Sequence, residues 1–327
     1  MIMSTVLVTG SEGNIGTYLV RSIRRQHPDM RIIRVKLRER DDEPDKQGDL
    51  YIGDLRDPSF IKKIFAENQI DYVIHGAARL YGVAGFNKDV HGILSNDVEC
   101  LLNVLDRCVS VKKFIYMSSS MVYESSERVP FAEELTDEIM PPKSSYGLTK
   151  YFGEKAVTFH HQQFGTNYTI WRPFNVVSPL EPHDRDGGHV FVDFYKRIYD
   201  DRQQKIEIYG SGQQVRCFTW VEDVVDAIAA SITYERTDRQ VFNIGSNEPK
   251  TMIELMNTLV EIGKEQKILP VDYAPEAAIG SQSFVVDVKL RIPSTDKIKR
   301  VLGWDCKTDF KTCFQKFVAY KQGYGDA

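Results

Sequence analysis

Short runs of β-branched and apolar residues alternate with longer amphipathic stretches through the first half of the chain. Residues 5–8, 32–37, 71–75 and 113–117 have the length and side-chain type of buried strands, and the segments between them carry apolar positions at helix spacing. Parallel strands need crossover helices, and those crossovers are right-handed almost without exception. The rhythm therefore predicts an α/β protein built on a doubly wound parallel sheet, with ligand held at the carboxyl ends of the strands. Beyond Pro173 the pattern loosens. Pro179, Pro182, Gly187, Gly188, Gly210 and Gly212 interrupt the alternation, which predicts a smaller C-terminal lobe, with residues 1–172 as the first domain and 173–327 mainly as the second. Residues 240–262 are expected to return to the first sheet. Residues 240–244 read as another strand, and Thr251 with Glu254 makes a capping box ahead of the apolar-periodic stretch 252–262.

Composition adds limits rather than a function. The chain has 327 residues, 42% hydrophobic and 27% charged, with a net charge of −4, the balance of a soluble globular protein. No overall field favours nucleic acid or an anionic membrane, so neither partner is expected and an anionic ligand needs a local site. No apolar run approaches the roughly 20 residues that span a bilayer. Cys100, Cys108, Cys217, Cys306 and Cys313 form no CxxC pair, and residues 1–8 run into a strand with no cationic segment before it. Reduced thiols and a cytoplasmic location are expected. His160 and His161 have no further His or Cys at ligand spacing, so a solvated helix pair is expected there and no metal.

Candidate chemistry begins where the first strand ends. Gly10, Gly13 and Gly16 fall between that strand and a helix, the spacing that permits a tight turn and close backbone approach to a pyrophosphate at a helix N-terminus. The end of the second strand lacks the acid that would accept ribose hydroxyls and carries Lys36, Arg38 and Arg40 instead. These suit the 2′-phosphate of NADP or form a solvated turn, leaving NAD and NADP both open. Asp54 offers a carboxylate to an adenine amino group, and His75, Gly76, Ala77 and Ala78 supply small residues at a strand end, His75 itself being packed. Tyr146 and Lys150 are adjacent on one helix face, where the lysine charge favours a phenolate suited to general-base work. Tyr151 and Lys155 repeat the spacing, but Tyr146 and Tyr151 point about 140° apart, so at most one faces a cofactor. Ser118, Ser119 and Ser120 follow a strand at the ligand-binding edge of the sheet, where a hydroxyl can bond a reacting oxygen.

Taken in order, these segments resemble the extended short-chain dehydrogenase/reductases, particularly the nucleotide-sugar branch of the NAD-dependent epimerase/dehydratase family, over nearly the whole chain. The resemblance implies a Rossmann-like fold, a bound NAD(P), a nucleotide-diphosphate sugar as substrate and a homodimer formed through the helix near 96–108 and the one starting near Tyr146. It implies Ser119 as catalytic hydroxyl, Tyr146 as base and Lys150 as the group that tunes it and holds the nicotinamide ribose, with Tyr151 and Lys155 as bystanders. Gly10, Gly13, Asn14, Ile15, Gly16, Lys36, Arg38, Asp54, Leu55, Ala77 and Ala78 would complete the cofactor site. Ser119, Ser120, Tyr146, Asn175, His189, Val190, Tyr209, Arg216 and Phe218 would line the substrate pocket, Asn175 and Arg216 holding the diphosphate and Tyr209 and Phe218 lying near base or ribose. Arg172, by contrast, sits at a strand end before Pro173, the place of a structural ion pair.

Ser120 and Met121 stand where similar 4,6-dehydratases carry an acidic pair. Elimination needs both a general acid and a base, so dehydration is disfavoured. Hydride chemistry at one carbon remains, with C4-epimerization through a keto intermediate expected first and a 4-dehydrogenase or 4-ketoreductase as the alternative. Residues 79–86 are similar to the glycine-containing substrate loops of GDP-mannose 3,5-epimerases and GDP-fucose synthases. Glu124 and Ser178 also depart from the pattern, standing where the family usually has Gly. A dinucleotide-sensing binding protein is the non-enzymatic alternative, but such proteins have lost the tyrosine or lysine that this chain keeps.

Overall fold

The computed structural model describes residues 3–38, 49–78, 90–181, 188–280 and 288–324. Arg40 and the loop 79–86 lie outside the described residues. In chain order the first half comprises β1 (Thr5–Thr9), α1 (Gly16–Gln26), β2 (Arg31–Lys36), β3 (Asp49–Ile52), α2 (Pro58–Glu67), β4 (Tyr72–His75), α3 (Val90–Leu105), β5 (Lys113–Met117), α4 (Ser145–Phe164) and β6 (Asn167–Pro173). The second half adds β7 (Val176–Val177), α5 (Val190–Tyr195), β8 (Lys205–Tyr209), β9 (Val215–Cys217), β10 (Thr219–Trp220), α6 (Val221–Ser231), β11 (Gln240–Ile244), β12 (Pro249–Thr251), α7 (Met252–Glu265), β13 (Glu276–Gly280), β14 (Leu290–Arg291), α8 (Asp296–Leu302) and α9 (Phe310–Lys321).

Seven strands form one sheet in the order β3-β2-β1-β4-β5-β6-β11, every neighbouring pair parallel. This is the doubly wound Rossmann-like arrangement the rhythm predicts. The order reverses on either side of β1, so the crevice at its carboxyl end is the place where such sheets take ligand. Alternation along each strand sends side chains to opposite faces. Val6 and Val8 join Leu19 and Ile23 of α1 and Val224 and Ile228 of α6 in one apolar cluster. Leu7 joins Leu101, Val104 and Leu105 of α3 and Val157 of α4 in another. Each such Leu, Ile or Val contributes about 1.5–3 kcal/mol on burial, so both faces anchor β1 and the loop that follows it. Ser22 and Asp226 tie α1 to α6 through a 2.6 Å hydrogen bond.

β11 returns to the sheet beside β6, and the Thr251–Glu254 capping box starts α7. That helix then packs against α5 and α9 rather than on the sheet. Outside the seven-stranded sheet the second half of the chain forms small sheets: β8 with β13, β7 with β10, and β12-β9-β14. Phe191, Phe218, Phe310, Phe314 and Phe317 extend the apolar cluster of β1, α1 and α6 into this half, meeting mostly edge to face. One expectation fails here. His160 is buried against Phe164, ring centroids 4.8 Å apart, rather than solvated, because its position on α4 faces inward.

Candidate active site

The glycine loop is shaped by contacts that no side chain could share. Gly10 has a left-handed backbone (φ 69°), and a Cβ there would lie 2.8 Å from the backbone of Gly76 and Ala77. A Cβ on Gly16 would fall 2.0 Å from the Gly10 carbonyl oxygen. Gly13 differs: it is exposed, and its amide bonds back to the Gly10 carbonyl at 3.1 Å. The loop is thus closed against β4 and open outward at Gly13, with Asn14, Ile15 and the N-terminus of α1 beside it, a cradle that fits a pyrophosphate. Ser178 donates to the Asn14 carbonyl at 2.9 Å, so the second half of the chain braces this loop. Ala77 and Ala78 are half-buried at the end of β4, where the Ala77 amide donates to Thr9 Oγ1. His75 is buried between Phe114 and Tyr116 and shares a 3.0 Å hydrogen bond with Thr9 Oγ1. Burial, with the Lys150 charge, pushes its imidazole down to about 3, so it stays neutral and structural.

After β3, Leu55 is buried, and the Arg56 guanidinium beside Asp54 holds that carboxyl below its usual range. Lys36 is only 5% exposed at the end of β2, whereas Arg38 is exposed. The expected basic cluster is therefore split, because the strand-end position of Lys36 turns it inward.

Ser119 caps the short turn Ser120–Tyr123 that leaves β5, its Oγ accepting from the Met121 amide at 3.2 Å. Ser120 is buried within that turn. α4 crosses the turn at close range: a Cβ on Gly147 would meet the Met121 carbonyl oxygen and Glu124 Oε2, each at 2.9 Å. Tyr146, next to Gly147 on this helix, is half-buried. One helical turn on, Lys150 Nζ donates to the Met117 carbonyl at 3.0 Å and lies 5.7 Å from the centre of the Tyr146 ring. Tyr151 packs instead with Val122, Tyr123, Phe131 and Phe174.

Beneath the turn lies a polar cluster centred on Arg172. Its guanidinium makes a bidentate pair with Glu154 (2.8 and 2.6 Å) and further bonds to the Tyr123 hydroxyl (2.5 Å), the Glu133 carbonyl (2.7 Å) and Thr136 Oγ1 (3.0 Å). Burial opposes the charge, but Glu154 outweighs it and holds the guanidinium protonated. Ser118 Oγ reaches Glu154 at 2.5 Å, and Tyr123 Oη reaches Asn243 on β11 at 2.7 Å.

In the second half of the chain, Arg216 of β9 and Arg291 of β14 are register partners on neighbouring strands. Arg291 reaches the Asn175 amide oxygen (3.4 Å) and Met121 Sδ (3.0 Å), which joins this cationic pair to the serine turn. Asn175 has the left-handed backbone (φ 38°) that Asn tolerates, and bonds to the Cys217 carbonyl at 3.2 Å. Tyr209 ends β8 with the Arg197 guanidinium 5.9 Å from its ring centre. His189 is paired with Glu181 and stacks on Phe191, and Val190 begins α5. Phe218, expected near base or ribose, is only 2% exposed, because the aromatic core draws it inward.

Across the chain, the profile of the NAD dependent epimerase/dehydratase family matches residues 6–245. The chain belongs to this family. A dTDP-4-dehydro-6-deoxy-D-allose reductase from a Streptomyces species is 30% identical over 300 residues, 87% of this chain and 88% of the relative. The UDP-glucose 4-epimerase of Thermotoga maritima, solved with UDP-glucose, has a TM-score of 0.85 at 27% identity, covering 98% of this chain and 99% of that one. The UDP-glucose 4-epimerase of Thermus thermophilus, solved with NAD, gives a TM-score of 0.82 at 24% identity, with 98% and 99% covered.

Against the family pattern, the departure at Glu124 has a structural account. Its carboxylate accepts from the amides of Lys143 and Ser144 and, at 2.6 Å, from the Ser144 hydroxyl, while Ser144 caps α4 by accepting from the Gly147 amide at 3.0 Å. A negative charge at a helix N-terminus is favourable, so Glu124 fastens the serine turn to the helix that carries Tyr146. Glu154 could have been inferred from the sequence, since it stands one helical turn beyond Lys150 and so faces the sheet. Arg291 gave no such signal.

Glu124→Ala is expected to lower the unfolding free energy by about 1.5–3 kcal/mol, the worth of a hydrogen bond to a charged group, because water replaces part of the lost set. Glu124→Gln should cost less. Urea titration of both variants measures this, and a loss below about 0.5 kcal/mol for the alanine variant would contradict the clamp.

Proposed function

We propose that the chain exchanges hydride at C4 of a nucleotide-diphosphate sugar and inverts that centre through a 4-keto intermediate. The observation that carries this reading is the place of Lys150, which donates to the Met117 carbonyl at the end of β5 and lies 5.7 Å from the centre of the Tyr146 ring, with Ser119 two residues beyond Met117. A nicotinamide dinucleotide bound on Gly10–Gly16 would supply the hydride acceptor and donor. Tyr146 takes the proton from the C4 hydroxyl as the C4 hydrogen departs, and Ser119 Oγ holds the same oxygen. Lys150, fixed by the Met117 carbonyl, holds its amine beside the phenol, where an ammonium favours the phenolate. After the sugar turns over in the pocket, hydride returns to the other face of the carbonyl carbon and Tyr146 gives the proton back to its oxygen. Elimination of water is disfavoured, because Ser120 and Met121 carry no acid and the Glu124 carboxylate is committed to the start of α4.

Support for the substrate class comes from the side-by-side Arg216 and Arg291, whose planar forks match phosphate oxygens, and from the UDP-glucose in the Thermotoga enzyme. The 30% identity to a ketoreductase favours one alternative, a one-way 4-ketoreductase. Residues 173–327, apart from α6 and β11, serve as the substrate lobe. Among the described residues no helix is long and apolar enough to cross a membrane, and with five free cysteines we place the enzyme in the cytoplasm. We also propose a homodimer through α3 and α4. Leu148, Phe152 and Phe159 are exposed along one face of α4, with Leu102 exposed on its neighbour α3.

Tyr146→Phe is expected to abolish cofactor reduction by nucleotide sugars while dinucleotide still binds, whereas Tyr151→Phe stays active. Absorbance of the reduced nicotinamide reads both, and the reverse pattern would refute the assignment. Arg216→Ala and Arg291→Ala should each weaken binding of a free nucleoside diphosphate by roughly 10- to 150-fold, the value of a charge-assisted hydrogen bond. Arg172→Met should leave affinity per folded molecule unchanged but destabilise by about 3–5 kcal/mol, since it strands Glu154 without its partner. Calorimetric titration beside thermal unfolding separates these roles, and equal affinity in all three variants would overturn them. Light scattering should give twice the chain mass, falling to one in Phe152→Glu; a monomeric parent protein would contradict the α3–α4 dimer.

A further inference from the structure

The carboxyl end of β2 presents Lys36, Leu37 and Arg38 and no acid, although an Asp or Glu at this place is what accepts the ribose 2′-hydroxyl in sheets that take NAD. The structure brings a carboxylate there from the opposite side. Ser11 Oγ donates to the Val35 carbonyl at 3.2 Å, which lays the first residues of the glycine loop across the end of β2. Glu12, next in sequence, pairs with Arg34 of the same strand at 3.0 Å, the two side chains 12% and 2% exposed. Gly13, the outward-facing glycine, follows directly. Glu12 therefore stands between the pyrophosphate cradle and the strand end that meets the adenosine ribose.

We infer that Glu12, held in place by Arg34, makes this enzyme select NAD over NADP. The inference rests on the dinucleotide reading of the glycine loop and adds a specificity to it. A carboxylate beside the 2′ position accepts hydrogen bonds from a ribose hydroxyl and repels a 2′-phosphate. The same carboxylate neutralises Arg34, a cation of β2 in contact with the loop, which would otherwise favour that phosphate. Lys36 is turned inward, which leaves Arg38 as the exposed cation of the described strand end.

The test is fluorescence titration of nucleotide-stripped full-length protein with NADH and NADPH. The parent protein should bind NADH at least tenfold more tightly. Glu12→Gln, which keeps the shape and removes the charge, should narrow that ratio at least tenfold, mainly through tighter NADPH binding, while Glu12→Asp should keep it. Arg38→Ala, which leaves the Glu12–Arg34 pair intact, should hold the ratio within twofold; thermal unfolding of each variant reports folding. A parent protein that prefers NADPH, an unchanged ratio in Glu12→Gln, or a ratio set by Arg38 would overturn the inference while leaving dinucleotide binding intact. Failure of the parent protein to bind either coenzyme would overturn the dinucleotide reading itself, and this inference with it.

Discussion

All five N–H donors of Arg172 are satisfied inside the protein, in a place where almost no water reaches. Through them one side chain joins the end of β6, the middle of α4, the turn after β5 and, by way of Tyr123 and Asn243, the returning strand β11. A buried cation is tolerable only when its partners are complete. The elements around the serine turn are thus held in one mutual arrangement. Ser118 is bonded into the same cluster, and Ser119, next along, caps the turn. The residues assigned to chemistry stand on a base fixed by residues that take no part in it.

Above that base, two residues that break the family pattern do comparable positioning work. Glu124 fastens the turn to the start of α4, and Ser178 braces the glycine loop from the second half of the chain. The Arg291 contact to Met121 carries the connection onward, so the Arg216–Arg291 pair is referenced to the turn holding Ser119. Glycine loop, serine turn, α4 and the Arg216–Arg291 pair are thus each tied to a neighbour by contacts between distant segments.

The sheet was legible because its signals are local. Residues 113–117 are strand β5 as read, and the other early strands differ from their reading by a residue or two at the ends. The glycines, the Ser119 turn and the Tyr146–Lys150 spacing are legible for the same reason, each being set by neighbours a few residues away. What was not legible depends on packing between distant segments. The burial of Phe218 is one such feature, since nothing in its neighbourhood shows that Phe191, Phe310 and Phe314 pack around it. Arg291 lies on a two-residue strand whose partner is 75 positions earlier in register, and so short a strand leaves no periodicity to read. His160 faces inward on a helix whose apolar face is too weakly marked to show it.

The central claim is that C4 of a nucleotide sugar gives up and regains its hydrogen through this site. The most direct measurement is to incubate the protein and its coenzyme with nucleotide sugars carrying deuterium at C4, and to follow the label by mass spectrometry and NMR. The account predicts that the label leaves C4 for the nicotinamide and reappears on C4 of the inverted sugar, with no loss of water from the molecule. Label that never moves across the panel, a label washed into solvent, or a product lighter by one water would contradict it.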